Sequence, residues 1–331
     1  NVIVTLSDSS LVSLYNEKGA EYESVSEFGK SESAREYLSS SASRRARVES
    51  RLKSAGLISE VVYGYDTVLD GLCVSTTYDK VAAICEVPEV ERVMISQTYA
   101  PSETVTNEVN VHDTGIFDSS DVPYTGKGTV VAVLDTGCDY THSAFTSHRV
   151  VEPRLDKDDI EELLRDTKAY GYNSNIAARD VYYGNVTKNK IAFGFDYADR
   201  DADIMPFEQS HGTHVAGIIA GSDSRITGVA VDAQLAIMKV FSDYKSGSEE
   251  SDILAALEDA VILGVDAINL SLGMSCGFSD ESHDKYKDGI YNSINDAGIS
   301  LVVAASNDYS SAFGSELGDT NKTSNPDSAT V

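Results

Sequence analysis

A histidine and an aspartate stand in two short segments that are suited to acid–base chemistry. The segment HGTHVAG at residues 211–217 starts with His211 and has the pattern of a glycine-rich apolar helix. The segment VVAVLDTG at residues 130–137 is an apolar run that ends on the carboxylate of Asp135. A general base needs a second group that fixes its tautomer and stabilises the imidazolium, and a buried aspartate at a strand end can do both. The ordered pair therefore predicts a proton-transfer site.

Both segments resemble the aspartate and histidine regions of the subtilisin-like serine proteases, the subtilases. Two later segments resemble this family in the expected order, INLSLG at residues 268–273 and LVVAASN at residues 301–307. The resemblance implies that Asp135 orients His211, that His211 is the general base, and that Asn307 donates to the oxyanion of a tetrahedral intermediate.

The segment at residues 268–273 resembles the family's substrate-pairing strand. The resemblance implies that Ser271, Leu272 and Gly273 pair through their backbones with an extended peptide. Gly273 would permit close backbone approach. His214, the second histidine of its motif, matches a structural position rather than a catalytic one.

The third member of the expected triad is missing from this sequence. The family's nucleophile lies in a Gly-Thr-Ser segment well after the oxyanion asparagine, and residues 308–331 do not contain that segment. Either the sequence stops before the serine, or the serine lies on a separate polypeptide made by internal cleavage, or the protein is catalytically incomplete.

Composition narrows the class of protein. The 331 residues suffice for two domains, and 53 acidic against 26 basic residues give a formal charge of −27. This acidity argues against nucleic acid as a partner, because phosphates would be repelled. We find no apolar run of about 18 residues that would predict a transmembrane helix, and no secretory segment at the N-terminus. The four cysteines lack CxxC spacing, which argues against zinc, and they are too few for a disulfide scaffold.

Residues 1–100 have the pattern of a small α+β domain. Apolar periodicity predicts strand, helix, strand, strand, helix and strand in turn, the order of a ferredoxin-like fold. This domain resembles the subtilase propeptide. The resemblance implies that this domain assists the folding of the protease and then inhibits it. A tail at about residues 95–100 would occupy the active-site cleft, and the domain would be removed by cleavage near Tyr99 or Ala100.

Residues 101–125 are predicted to be a polar linker, and residues 126–331 to be the N-terminal part of a catalytic α/β domain. Apolar strands alternate there with amphipathic helices, which indicates a parallel sheet covered on both faces. Functional residues of such sheets collect at the carboxyl ends of strands, where both Asp135 and Asn307 are predicted to lie. Residues 191–199 resemble the cell-envelope branch of the subtilases, which implies a secreted or cell-envelope-associated protein.

A carboxylate-rich loop precedes the histidine motif. Its four aspartates, Asp196, Asp199, Asp201 and Asp203, could bind Ca²⁺, but no glycine stands at the needed turn, so a solvated loop is the favoured alternative. No organic cofactor and no other metal site is predicted. Cys138 is interpreted as a buried, inert thiol.

These observations predict a serine endopeptidase in zymogen or processed form, whose serine lies outside residues 1–331. Its partners would be protein or peptide substrates and a C-terminal fragment that carries the serine. The alternative is a catalytically incomplete pseudoprotease or a binding subunit.

Overall fold

The computed structural model of this chain describes residues 1–101, 124–150, 152–168, 182, 189–273 and 281–304. Their strands form a four-stranded sheet in the first 95 residues and a five-stranded sheet in the later part of the chain. In a third sheet of three strands, residues 98–101 pair with two strands of the later part.

Strands and helices of the described residues are named in chain order. The strands are β1 Val2–Ser7, β2 Glu60–Tyr65, β3 Asp70–Ser75, β4 Arg92–Ile95, β5 Thr98–Pro101, β6 Val130–Asp135, β7 Ile191–Asp196, β8 Gln234–Lys239, β9 Ser248–Glu249, β10 Ala267–Leu270, β11 Leu272–Gly273 and β12 Ser300–Val303. The helices are α1 Leu11–Lys18, α2 Val25–Phe28, α3 Glu32–Ser54, α4 Val81–Cys85, α5 Ser143–Thr146, α6 Lys157–Lys168, α7 His211–Ala220, α8 Glu250–Ile262 and α9 Glu281–Asp296, and a 3₁₀ turn at Tyr78–Lys80 precedes α4.

The first 95 residues, called the N-terminal unit below, have the element order that the sequence predicts. β1, α3, β2, β3, α4 and β4 follow one another, and the strands pair antiparallel in the order β2-β3-β1-β4. This is a ferredoxin-like arrangement. Two short helices, α1 and α2, lie between β1 and α3 and were not predicted.

The five-stranded sheet is parallel, as predicted, with the order β12-β10-β6-β8-β7. β6 is the central strand, and its alternate residues face opposite layers. Val133 belongs to a buried cluster with Val215 and Ala216 of α7, whereas Ala132 and Leu134 belong to the cluster that contains the apolar residues of α8 and α9. Because both faces are covered, β6 needs apolar residues at nearly every position, which explains its continuous apolar run. None of the described helices is both long and apolar enough to cross a bilayer.

α8 lies between the parallel sheet and the N-terminal unit. It packs against β6 on one side and against α2 and β2 on the other, so that all of its residues are buried. Four of these buried residues are acidic, namely Glu250, Asp252, Glu258 and Asp259. A buried carboxylate is costly unless it is hydrogen-bonded, so each of them needs partners across this interface.

Glu258 receives its hydrogen bonds from the backbone of the N-terminal unit. Its carboxylate accepts from the amides of Asp66 at 3.0 Å, Thr67 at 2.9 Å and Val68 at 2.5 Å. These amides belong to the turn between β2 and β3, where no strand partner takes them. One side chain thus satisfies three backbone donors of the neighbouring unit.

Tyrosine hydroxyls make further contacts across the same interface. Tyr65 of β2 donates to the carbonyl of Ser251 at 3.0 Å, and Tyr63 donates to the carbonyl of Tyr197 at 2.5 Å. Tyr197 in turn donates to Asp259 at 2.9 Å. The interface is therefore closely packed but rich in polar groups.

Burial perturbs the acidic residues of α8. It raises the pKa of Asp252 to about 7 and the pKa values of Glu258 and Asp259 to about 8. In Glu258 the three amide donors oppose this rise, and the nearby Asp66 carboxylate adds to it.

We expect Glu258→Ala to destabilise the chain by roughly 3 kcal/mol, because it leaves three buried amide donors without an acceptor. Denaturant unfolding measures this difference, and amide exchange at residues 66–68 should accelerate at the same time. Glu36→Ala, at an exposed position of α3, is the matched control. Equal unfolding free energies for the two variants would contradict the role assigned to Glu258.

The raised pKa values also predict that the stability of the fold depends on pH. Carboxyls whose folded-state pKa exceeds the unfolded value of about 4 stabilise the fold fully below that value, and this stabilisation is lost as the pH rises through the folded-state pKa. The thermal unfolding midpoint should therefore fall as the pH rises from about 4 to the folded-state pKa values of about 7 to 8 of Asp252, Glu258 and Asp259, and should level off above them. Asp259→Asn keeps an acceptor for Tyr197 and should flatten this dependence. A midpoint that rises over this range would overturn the assignment.

Candidate active site

Asp135 and His211 meet at the carboxyl end of the central strand. The Nδ1 atom of His211 lies 2.7 Å from Oδ1 of Asp135, and the two side chains are 12% and 1% exposed. Oδ1 also accepts from the amide of Thr136 at 2.7 Å. Because an ionised carboxylate only accepts, Nδ1 carries the proton and Nε2 is the basic nitrogen of the neutral ring. This is the tautomer that a general base acting through Nε2 requires.

Two glycines allow the first turn of α7 to approach the end of β6. A Cβ atom on Gly212 would lie 2.2 Å from the carbonyl oxygen of Gly137 and 3.0 Å from Cβ of Asp135. Gly137 itself has φ +97°, and a Cβ there would lie 2.5 Å from the carbonyl oxygen of Ile204. A larger residue at Gly212 would push the helix away from the strand, and a larger residue at Gly137 would be strained by its positive φ and would overlap the Ile204 carbonyl.

Threonine hydroxyls join the same two elements. The hydroxyl of Thr136 accepts from the amide of Gly212 at 2.9 Å and donates to the carbonyl of Gln209 at 3.0 Å. The hydroxyl of Thr213 accepts from the amide of Asp139 at 2.8 Å. Both threonines belong to the segments that sequence reasoning singled out, and their role is to fix the position of the histidine.

The strand β11 pairs with a segment of this same chain. β5 lies between β11 and β9 and is antiparallel to both. Leu272 pairs with Pro101 and Gly273 with Ala100, and on the other edge Ser248 pairs with Tyr99. The extended segment thus runs to Pro101, one residue past the predicted tail.

A cleft of about 680 Å³ connects this strand with the site of Asp135. β5 lines one part of it, Thr136 and residues 207–209 line another, and residues 241–247 complete it. Phe207 and Tyr244 are exposed aromatic residues of this lining. Sequence reasoning missed both, because a single aromatic residue in a polar loop carries no periodic signal.

The other residues that the sequence singled out do not all lie at the contact between Asp135 and His211. Ser271 is half-buried, and its hydroxyl accepts from the amide group of Asn269 at 2.9 Å. Asn307 lies outside the described residues. His214 is exposed on α7. Cys138 is a buried free thiol whose pKa is raised by burial, in keeping with an inert role.

The carboxylate-rich loop surrounds a buried lysine. Lys239 lies 2.8 Å from Asp196 and 2.5 Å from Asp243, and the lysine side chain is fully buried. Asp199 accepts from the hydroxyl of Ser242 at 2.6 Å and joins the group. The lysine ammonium therefore counters the charge of these carboxylates.

The other two aspartates of this loop form local turns. Asp201 accepts from the amide of Asp203 at 2.8 Å, and Asp203 accepts from the amide of Met205 at 3.0 Å. The four predicted calcium ligands are thus divided between the lysine group and these turns. Ca²⁺ binding here stays a prediction.

We expect Gly212→Ala to separate His211 from Asp135 and to destabilise the chain by roughly 1–3 kcal/mol, because the new methyl group overlaps the Gly137 carbonyl. Nitrogen-15 NMR of the His211 ring should then show loss of the fixed Nδ1–H tautomer. Gly217→Ala is the matched control on the same helix, since a Cβ there meets nothing within 4 Å; it should stabilise α7 slightly. The same tautomer in both variants would contradict this account of the glycine.

Comparison with known proteins agrees with the resemblance of the aspartate and histidine segments to the subtilases. The profile of the subtilase family matches residues 126–330. The PI-type proteinase of Lactococcus lactis subsp. cremoris is 29% identical over 265 residues, which are 77% of this chain and 13% of that protein. The C5a peptidase of Streptococcus pyogenes serotype M3 is 30% identical over 197 residues, 57% of this chain and 15% of that protein. The chain thus spans less than a sixth of the length of either relative.

Solved structures agree on the fold. The epidermin leader peptide processing serine protease (EpiP) of Staphylococcus aureus, in a mutant form, has a TM-score of 0.51 and 16% sequence identity. The match covers 78% of this chain and 57% of that one. At this level of identity the likeness concerns the arrangement of strands and helices, which is the α/β fold described above.

Proposed function

This chain belongs to the subtilase family, and from that membership we propose that it forms the aspartate- and histidine-bearing part of a serine endopeptidase. The observation that carries the proposal is the 2.7 Å contact between Nδ1 of His211 and Oδ1 of Asp135. Retention of this buried pair is hard to reconcile with the alternative, a catalytically incomplete binding subunit, because such a protein has no need of an oriented base.

The proposed reaction is acyl transfer. A serine hydroxyl supplied from outside residues 1–331 attacks the peptide carbonyl, and Nε2 of His211 takes the hydroxyl proton. Asp135 stabilises the imidazolium that results, and His211 then passes the proton to the leaving amine. Asn307 donates to the oxyanion, a role carried over from its segment. Water then attacks the acyl-enzyme carbonyl and gives a proton to Nε2 of His211, and His211 passes that proton to the serine oxygen as the ester bond breaks.

Residues 1–100 are proposed to be the propeptide of this enzyme, joined by residues 101–125 to the catalytic part at residues 126–331. The position of β5 supports this assignment, since an extended strand of the chain occupies the edges of β9 and β11 where a substrate strand would pair. The chain that carries this strand is then a zymogen, and cleavage near the end of β5 followed by release of the N-terminal unit together with β5 would open the cleft.

Substrates are proposed to be proteins or peptides, and the serine is proposed to lie on a C-terminal continuation or fragment. A secreted or cell-envelope location is proposed from the two bacterial relatives, which are a lactococcal PI-type proteinase and a streptococcal C5a peptidase.

A fluorophosphonate serine probe tests the proposal directly. The purified native protein is labelled, separated on a denaturing gel and analysed by intact mass. We expect label on the polypeptide that continues or accompanies this chain, and none on residues 1–331. No label on any species, even after the N-terminal unit is released, would refute the enzyme and favour the binding subunit.

Variants of the buried pair give a graded prediction. Asp135→Asn should lower the rate of peptide hydrolysis by about 10⁴-fold, because an amide at this position favours the wrong tautomer of His211. His211→Ala should lower it at least as far. His214→Ala, at an exposed position of the same helix, is the matched control and should retain most of the activity. Comparable losses in all three variants would point to a folding defect instead of a catalytic role.

A further inference from the structure

Tyr99 is the residue of β5 whose side chain enters the protein. Along the strand its neighbours Thr98 and Ala100 are exposed, whereas Tyr99 is 7% exposed. It belongs to the same buried cluster as Leu272 of β11 and Ile290 of α9. Because side chains alternate along a strand, the Tyr99 side chain points into the pocket formed by β11 and α9.

The polar group that Tyr99 meets is a buried lysine of α9. The Nζ atom of Lys287 donates to the hydroxyl of Tyr99 at 2.6 Å, and it lies 5.1 Å from the centre of the tyrosine ring. Lys287 is 7% exposed. An ammonium this far from water needs oxygen partners, and the tyrosine hydroxyl is one of them.

Glu250 fixes the start of the same strand. Its amide donates to the carbonyl of Gln97 at 2.8 Å, and its carboxylate accepts from the amide of Gln97 at 3.3 Å. The contact at Gln97 uses backbone atoms and places no demand on the side chain there. Lys287, by contrast, contacts a side-chain oxygen, so its contact depends on which residue stands at the position of Tyr99.

We propose that Lys287 is a specificity-determining residue that selects tyrosine at the substrate position which Tyr99 holds. In the bound strand this position directly precedes the residue that pairs with Gly273, which is Ala100 in β5. The inference rests on the proposed function, in which a substrate strand replaces β5 between β9 and β11. α9 and both pairing strands belong to the later part of the chain, so the pocket keeps its lysine when β5 leaves.

The chemistry of the pocket separates tyrosine from phenylalanine. Either ring can fill the apolar walls and lie near the ammonium, which favours aromatic residues in general. Only tyrosine supplies the oxygen that accepts from Nζ, and phenylalanine would leave that donor direction without an acceptor. Hydrogen bonds to charged groups of this kind correspond to about a tenfold to hundredfold difference in affinity.

Paired peptides test the proposal on the full-length protein after cleavage near the end of β5 and release of the N-terminal unit together with β5. Two fluorescent peptides carry the sequence of residues 95–106 and differ only in tyrosine or phenylalanine at the Tyr99 position. We expect the tyrosine peptide to bind at least tenfold more tightly by fluorescence anisotropy. In Lys287→Met, which keeps the unbranched apolar stem but removes the ammonium group, the ratio of the two Kd values should fall to about one.

Lys157→Met provides the control, since Lys157 is an exposed residue of α6, and its ratio should equal that of the unaltered protein. Equal affinities for the two peptides in the unaltered protein would overturn the proposal, and this comparison does not depend on the folding of any variant. An undiminished ratio in folded Lys287→Met would overturn it as well.

Cleavage of the same peptides, followed by mass spectrometry, reports on the proposed function separately. Binding without cleavage would count against the peptidase, while the ratio of the Kd values would still decide the role of Lys287.

Discussion

The close contact between α7 and the end of β6 determines the geometry of the site. A helix beginning at His211 can approach Asp135 this closely because Gly212 has no side chain, and the positive φ of Gly137 turns the chain just after the strand. The strand that carries Asp135 is central in the parallel sheet and covered on both faces, so it cannot move to compensate. Backbone shape thus brings His211 to the Asp135 carboxylate, and the threonine hydrogen bonds hold the two segments in position.

The interface of α8 with the N-terminal unit has an unusual composition for a fully buried helix. Many of its residues are apolar, whereas Glu258 accepts from backbone amides of the unit, Asp259 accepts from the hydroxyl of Tyr197, and the backbone at Ser251 accepts from the hydroxyl of Tyr65. Interfaces between units that separate are commonly more polar than a permanent core, because each side must tolerate water when apart. Carboxylates suit this purpose, since exposure restores their hydration and removes the pKa shift that burial imposes. The polar composition of α8 is therefore the one expected if the N-terminal unit is released as proposed.

Much of this architecture could be predicted from the sequence, because buried parallel strands and amphipathic helices leave periodic patterns. α1 and α2 could not, since helices of eight and four residues are too short to show a period. Asp135 and His211 were predictable as a pair through their local motifs. The contact between Lys287 and Tyr99 was not, because it joins residues 188 positions apart and depends on the register of β5. The lysine within the aspartate loop was missed for the same reason: Lys239 ends a different strand.

The middle position of β5 has a consequence for the order in which the chain is made. A ribosome delivers β5 before either of its neighbours, and Glu250, which holds the start of the strand, follows Gln97 by 153 residues. At about 5–20 residues per second this interval lasts roughly 8–30 s. Throughout that time the N-terminal unit can fold, while β5, which follows it, has no strand to pair with. Because β5 is synthesised before β9 and β11, the cleft forms with β5 already available to fill it. The cleft is therefore occupied by β5 as soon as it forms.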